Sequence, residues 1–397
     1  MRKKSSLAFG VVGIVLIVVA IVWWVALAPW LVKLPSDLDV NMDFEGTLTK
    51  YLDPATGQPL PGGQGTAIPF TVLRTFASVS NKYTSSVAVC SDTIAMTAGG
   101  QESPAQITQY ALDRKSRKCV ESDENWAYSP QIVMGDRVGH YGPLFPGSLE
   151  VGTTVSAFFN DVNTAFDIKV AEKIDDYNGL GITAIKIDAT RPATEYYPPI
   201  AQAVLGSQGL PMEITFAQLS AQLKAKGLDL DGLMGALATV ATPEDMQALQ
   251  ALTQQPIKMA YKQSSGDVIY IEEKTGATVG ADFDRTTTME ADTAGLLGAF
   301  AIIGKYASHP NVGPAIGAAM QAATQLAQAE PTMVFNQRMS IIPASEQTLA
   351  KDAQKKASLL TLVDLWIPLI IVIVGLLLLA LGGYLLLRKR TVAASAS

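Results

Sequence analysis

Two long stretches without a single charge, one at each end of the chain, constrain this sequence more than anything else in it. Ser5–Val32 is a run of 28 residues lacking Asp, Glu, Lys and Arg, and Leu365–Leu387 is a second run of 23. A bilayer core is spanned by about 20 apolar residues in a helix, so each run has the length of a membrane anchor. The whole chain of 397 residues is 17% charged, against about 25% in soluble domains. Without the two runs the remainder is roughly 43% apolar, close to an ordinary globular composition.

Arg2, Lys3 and Lys4 precede the first run, and Arg388, Lys389 and Arg390 follow the second. Cationic flanks stay in the cytoplasm and Trp favours the membrane interface. Trp23, Trp24 and Trp30 near the end of the first run, and Trp366 at the start of the second, agree with that orientation. The reading is a two-pass plasma-membrane protein with both termini cytoplasmic. Residues 1–32 form a tail and first span, 33–363 an extracytoplasmic domain, and 364–397 a second span and tail. The chain has net charge −6 with six positive charges in the tails, so the domain between carries −12. A cleaved signal peptide is the alternative for the first run, with Ala26-Leu27-Ala28 as its cleavage motif. Its length, and Pro29 just after the cut, favour a retained anchor.

An acidic domain argues against nucleic acid as a partner. Two cysteines and two histidines cannot build a cysteine scaffold or a histidine-rich metal centre. Cys90 and Cys119 both fall in the extracytoplasmic part, where disulfides persist, and a bridge would close a loop of about 30 residues; two buried thiols are the alternative. No Asn-x-Ser/Thr acceptor occurs, which leans toward a bacterial source.

Between the runs, short β-prone segments recur: Thr71–Leu73, Ser86–Cys90, Ile107–Tyr110 and Phe166–Val170, with an Asn178-Gly179 hairpin signal before Ile182–Ile187. Helical spacing appears over Ile214–Lys226 and Leu228–Val240. Thr242-Pro243-Glu244-Asp245 is a helix start: a cap, a proline at the first position and two acids in the first turn. Strands return at Ile257–Gln263 and Val268–Glu273, with Ser265-Gly266 read as their turn. A second helical block covers about 293–329, broken at His309-Pro310, before a strand at Val334–Ile342 and an amphipathic helix at Ala344–Val363. The expected fold class is α+β: an antiparallel, β-rich, barrel-like ectodomain with helical inserts at about 213–253 and 293–329, flanked by transmembrane helices.

Catalytic templates fail. There is no nucleophile elbow and no phosphate loop. Asp229-Leu-Asp231-Gly232 lacks the glutamate a calcium loop needs at its twelfth position, which is Val240. Asp282 and Asp284 share one face of a strand, where paired carboxylates are usually solvated. No cofactor and no enzymatic activity are expected. What remains is apolar surface: Leu296–Ile303 is too apolar for a solvent-facing helix. Leu219, Leu223, Leu296, Leu297, Phe300 and Ile303 are the candidate ligand-binding residues, with core packing as the plainer reading.

The anchor ending in Ala-Pro, the following Leu34-Pro-Ser-Asp37, the Tyr110-Ala-Leu-Asp113-Arg114-Lys-Ser segment and the Ile269-Tyr-Ile-Glu-Glu-Lys-Thr-Gly276 strand–turn resemble the actinobacterial envelope proteins of the porin PorA family. The anchors being helical, no transmembrane barrel is expected. More distantly, two anchors with cytoplasmic ends and Glu273-Lys-Thr-Gly276 are similar to class B scavenger receptors. That likeness implies a barrel-like core, a helical bundle and an apolar tunnel carrying lipid toward the membrane. The leading expectation is therefore an envelope protein binding or conducting lipidic or hydrophobic molecules. A structural or accessory envelope protein that binds other envelope proteins, and an oligomeric pore, are the alternatives.

Overall fold

The computed structural model describes residues 2–27, 33–52, 60, 63–225, 229–292, 294–327 and 331–394. In chain order the elements are α1 (Arg2–Val22), β1 (Asp39–Lys50), β2 (Thr66–Ser78), β3 (Val87–Ala98), β4 (Gln101–Glu102), β5 (Gln106–Asp113), β6 (Trp126–Ala127), β7 (Ser129–Val133), β8 (Thr154–Phe159), β9 (Thr164–Ile174) and β10 (Ala184–Glu195). There follow α2 (Pro198–Val204), β11 (Glu213–Ile214), α3 (Phe216–Ala225), α4 (Leu230–Leu237), α5 (Pro243–Thr253), β12 (Ile257–Glu272), β13 (Thr278–Ala291), α6 (Ala294–Gly304), α7 (Gly313–Ala327), β14 (Thr332–Ile341), α8 (Pro343–Thr361) and α9 (Ile367–Ala394).

The strands form one antiparallel sheet in the order β7-β6-β5-β3-β2-β1-β14-β13-β12-β10-β9-β8. It curls into a half-barrel. Single bridges Leu112–Cys119, Lys118–Tyr141 and Tyr141–Ala157 reach across its open side from β5 to β8, with Tyr141 N–H donating to the Ser156 carbonyl at 2.9 Å. Alternation sets which face is inside. In β1, Met42 and Phe44 are buried while Asp39, Asn41, Asp43 and Glu45 are exposed; in β9, Ile168 and Val170 are buried while Asp167 and Lys169 are exposed. A membrane-embedded barrel shows lipid an apolar outer band; the outward positions of β1 and β9 carry charged and polar residues.

Sequence reading located most of these elements. It divided β12 in two, because Ser265-Gly266 has the composition of a turn. The strand runs unbroken through them, with Ser265 opposite Arg191 on one side and Arg285 on the other. Pairing on both edges overrides the local turn preference.

Helices α3–α7 and β11 build a cap at the end where β10 finishes and β12 begins. At the opposite end the terminal helices leave the sheet. There α8 lays Ala350 and Ala353 against Tyr177 and Val279, and Glu346 accepts hydrogen bonds from Tyr177 Oη (2.8 Å) and Asn178 Nδ2 (3.2 Å). The helix continues through a π-type turn at Leu362–Trp366 into α9. Pro343–Leu385 is long and apolar enough to cross a membrane; the apolar part of the first helix, Val11–Ala26, is shorter. Among the described residues one helix, not two, thus reaches spanning length; Ala28–Val32 of the first run lie outside them.

The two terminal helices pack antiparallel. A Cβ on Gly13 would stand 2.6 Å from the Gly375 carbonyl oxygen, and one on Gly375 would stand 2.9 Å from that of Gly13. Small residues of this kind let helix backbones approach closely. Farther along, Trp23 Nε1 donates to the Val363 carbonyl at 3.0 Å. Ile14, Val18, Leu376 and Leu377 remain exposed on the outside of the pair.

Candidate functional site

The cap is held by its own apolar core. Leu219, Leu223, Leu230, Leu233, Leu237, Leu249, Ala299 and Ile303 are buried in one cluster, with Phe216, Met234 and Phe300 packed on it. Local chemistry sets the helix starts. Asp229 caps α4, accepting from Gly232 N at 3.1 Å, and Thr242 caps α5, accepting from Asp245 N at 3.2 Å. Asp229 is therefore a helix cap, as the broken calcium pattern suggested. Between α3, α4, α5 and α6 lies a narrow cleft with about 20 Å³ of free space, partly open to solvent, lined by Phe216, Leu230, Leu233, Met234, Leu249, Thr253, Ala299, Phe300 and Ile303. Thr253 is the one polar residue of the lining.

Of the residues selected from sequence, Leu219, Leu223, Phe300 and Ile303 come together in this cluster, and Phe300 and Ile303 line the cleft. Leu296 and Leu297 belong to α6, but their side chains lie outside the described residues. Leu230, Leu233 and Leu249 were passed over, although Leu230, Leu233 and Leu237 repeat at the spacing of one helix face.

The half-barrel interior holds both apolar and charged side chains. Apolar clusters fill it, Phe76, Cys90, Leu112, Ala281 and Phe283 in one and Ile185, Ile187 and Ile271 in another. Among them runs a belt of charge. Arg74 grips both oxygens of Asp92 (2.8 and 2.7 Å). Arg285 reaches Asp267 Oδ2 with Nε and Nη2 (2.9 and 2.8 Å). Arg191 donates to Asp161 and to Gln263. Arg137, fully buried, forms no ion pair among the described residues. It donates to Asn160 Oδ1 (3.0 Å) and the Gln109 carbonyl (2.7 Å), and lies 4.4 Å from the centre of the Tyr110 ring. Burial pushes the Arg137 guanidinium below its ordinary value and the Tyr110 hydroxyl up to about 12. Alternating inward positions with neutral residues between them hid this belt from sequence reading.

The disulfide expectation is corrected. Cys90 and Cys119 are free and buried. Cys90 faces Tyr110 across one edge of β5, and Cys119 bridges to Leu112 across the other. With β5 between them, the two stand about two strand spacings, roughly 9.5 Å, apart, beyond the ~6.8 Å Cα separation a disulfide tolerates. Burial raises both thiols to about 11. Among the described residues no group of three or more His, Cys, Asp or Glu is placed to hold a metal ion.

Compared with known proteins, residues 5–384 match the family described as Porin PorA. No curated protein matches the chain. The match spans the terminal helices, half-barrel and cap together, and no finding extends it to the class B scavenger receptors. The chain belongs to the Porin PorA family, and with it to the membrane proteins of the cell envelope.

Proposed function

We propose that this family member is a two-pass envelope protein, both termini cytoplasmic, whose extracytoplasmic cap takes the apolar part of a lipidic or amphiphilic molecule. The observation that carries the reading is the cap cleft: nine lining residues, eight of them apolar, opening to solvent at the end of the sheet remote from the terminal helices. The cleft as it stands has about 20 Å³ free, room for about one water, so a ligand chain enters by moving Met234 aside, a flexible thioether that repacks readily. The antiparallel helix pair and its exposed Val, Ile and Leu support the two-pass arrangement, since residues facing lipid tails need be no more polar than the tails. The reading is of a receptor that holds its ligand in the cap, not of an open apolar pipe. No part of it requires bond-making chemistry.

Native mass spectrometry of the full chain in detergent, with palmitate as probe, tests it. Wild type should retain palmitate; Met234→Lys, at a half-buried rim position, should lose it without a change in melting temperature. Equal retention by both refutes the cleft reading. An oligomeric pore is the second reading, favoured by family membership and by the Gly13–Gly375 contact, which shows how closely these helices can pack. Steps of conductance from the pure protein in a planar bilayer would move the conclusion to it.

A further inference from the structure

Arg114, Lys115, Arg117 and Lys118 put four cations into five residues of a domain that is acidic as a whole. None of the four makes an ion pair among the described residues. The one acid of the segment, Asp113, is turned inward on the loop itself: Oδ1 accepts from Lys115 N (3.1 Å), Ser116 N (2.7 Å) and Ser116 Oγ (2.9 Å).

The fold ties this loop to the chain that follows the first charge-free run and, through a turn, to the helix that leads into the second. Leu34 N donates to the Arg114 carbonyl at 2.9 Å, and Arg114 Nε and Nη2 donate back to the Leu34 carbonyl at 2.9 and 2.7 Å. Leu34 lies two residues past the charge-free run, at most about 7.6 Å of chain. The headgroup zone of a leaflet is itself about 5–7 Å deep. On the other side Arg117, at φ 62°, turns inward and donates to the Phe145 carbonyl. Gly276 makes room for it, because a Cβ there would stand 2.6 Å from Arg117 Nη1. Gly276 belongs to the β12–β13 turn, whose Lys274 donates to Thr361 Oγ1 at 3.0 Å, four residues before the second charge-free run. Burial lowers Arg117 to about 10, the response of a cation short of a counter-charge. Lys115 and Lys118 are exposed.

We propose that the 114–118 loop, with Lys274 beside it, is a docking site for the anionic phosphate headgroups of the leaflet that the terminal helices enter. The inference rests on the anchoring proposed above and is independent of the cap cleft. A cation beside an anionic surface strengthens attachment about fivefold. The cluster both fixes the height of the half-barrel above the bilayer and selects anionic lipid.

The test uses the full chain in detergent, titrated with phosphatidylglycerol or phosphatidylcholine, with bound lipid counted by native mass spectrometry. Wild type should retain phosphatidylglycerol in preference. Lys115→Gln/Lys118→Gln should lose about fivefold per charge removed, and Lys115→Arg/Lys118→Arg should keep it. Both positions are exposed, and a shared melting temperature confirms the fold. Equal retention of the two lipids, an unchanged charge-removed variant, or displacement by excess inorganic phosphate each overturns the proposal, the last by assigning the loop to free anions. Failure of the anchoring reading would show differently, as a chain that stays monomeric in detergent-free buffer.

Discussion

Replacing Asp92 with Asn removes one charge from the belt while keeping its shape. Asp92 is 4% exposed and takes both hydrogen bonds of the Arg74 fork. Arg285 also lies within electrostatic reach of Arg74, so Asp92 offsets a nearby like charge as well as pairing Arg74. Breaking a buried pair by neutralising one partner costs about 3–5 kcal/mol. Arg74 keeps 21% of its side chain accessible, so water recovers part of this, and about 2–3 kcal/mol is expected. The part between the terminal helices is about 330 residues, with an unfolding entropy near 0.7 kcal/mol/K. Asp92→Asn should then lower the melting temperature by about 3–4 °C. Arg74→Met/Asp92→Leu removes both charges and should return to within about 1 kcal/mol of wild type. The assay is the tryptophan-fluorescence melt of the full chain in one detergent, checked by calorimetry. An unchanged melt for Asp92→Asn, or a double variant that falls as far as the single, refutes the reasoning.

Iodoacetamide at pH 8 should leave Cys90 and Cys119 unmodified in the native protein and label both in denaturant, and mass spectrometry should find no bridge without reductant. With native values near 11 against an ordinary 9.0, both thiols hold their protons more tightly folded than unfolded. Their contribution to stability is complete below pH 9 and is lost as pH rises toward 11, to be read from denaturant midpoints of wild type against Cys90→Ala/Cys119→Ala. Gly280→Ala should loosen α8, because its Cβ would stand 2.0 Å from Tyr177 Oη and 3.0 Å from Glu346 Oε1. A loss of about 1–3 kcal/mol, with faster proteolysis around residues 343–361, is expected.

Sequence patterns disclosed whatever depends on neighbours along the chain. The β-prone run at Phe166–Val170 and the Thr242-Pro243 helix start act locally, and each appears where it was expected. What stayed hidden depends on residues far apart in sequence. The turn read at Ser265-Gly266 is overruled by pairing with β10 and β13. The bridge read between Cys90 and Cys119 is prevented by β5, which no count of cysteines places between them. In the cap, apolar spacing gathered Leu219, Leu223, Phe300 and Ile303, but the lining from Leu230, Leu233 and Leu249 emerged only once four helices were packed. The arginine belt is the extreme case: each of its arginines reads as an ordinary surface charge until the curl of the sheet turns it inward.

The pairing of β1 with β14, from Phe44–Ile341 to Lys50–Phe335, sets a timetable for the chain's assembly. The first long strand can take β2 as a partner almost at once, but its other edge has to wait for the last strand, about 290 residues later. At ordinary synthesis rates of 5–20 residues per second that wait is about 15–60 s. Throughout it the growing molecule presents an unpaired strand edge, the kind that recruits other chains. The edge alternates Asp43, Glu45 and Thr47 with its apolar residues, and such charges blunt association with a second copy. The acids on the outside of β1 thus guard the nascent chain before they solvate the finished one.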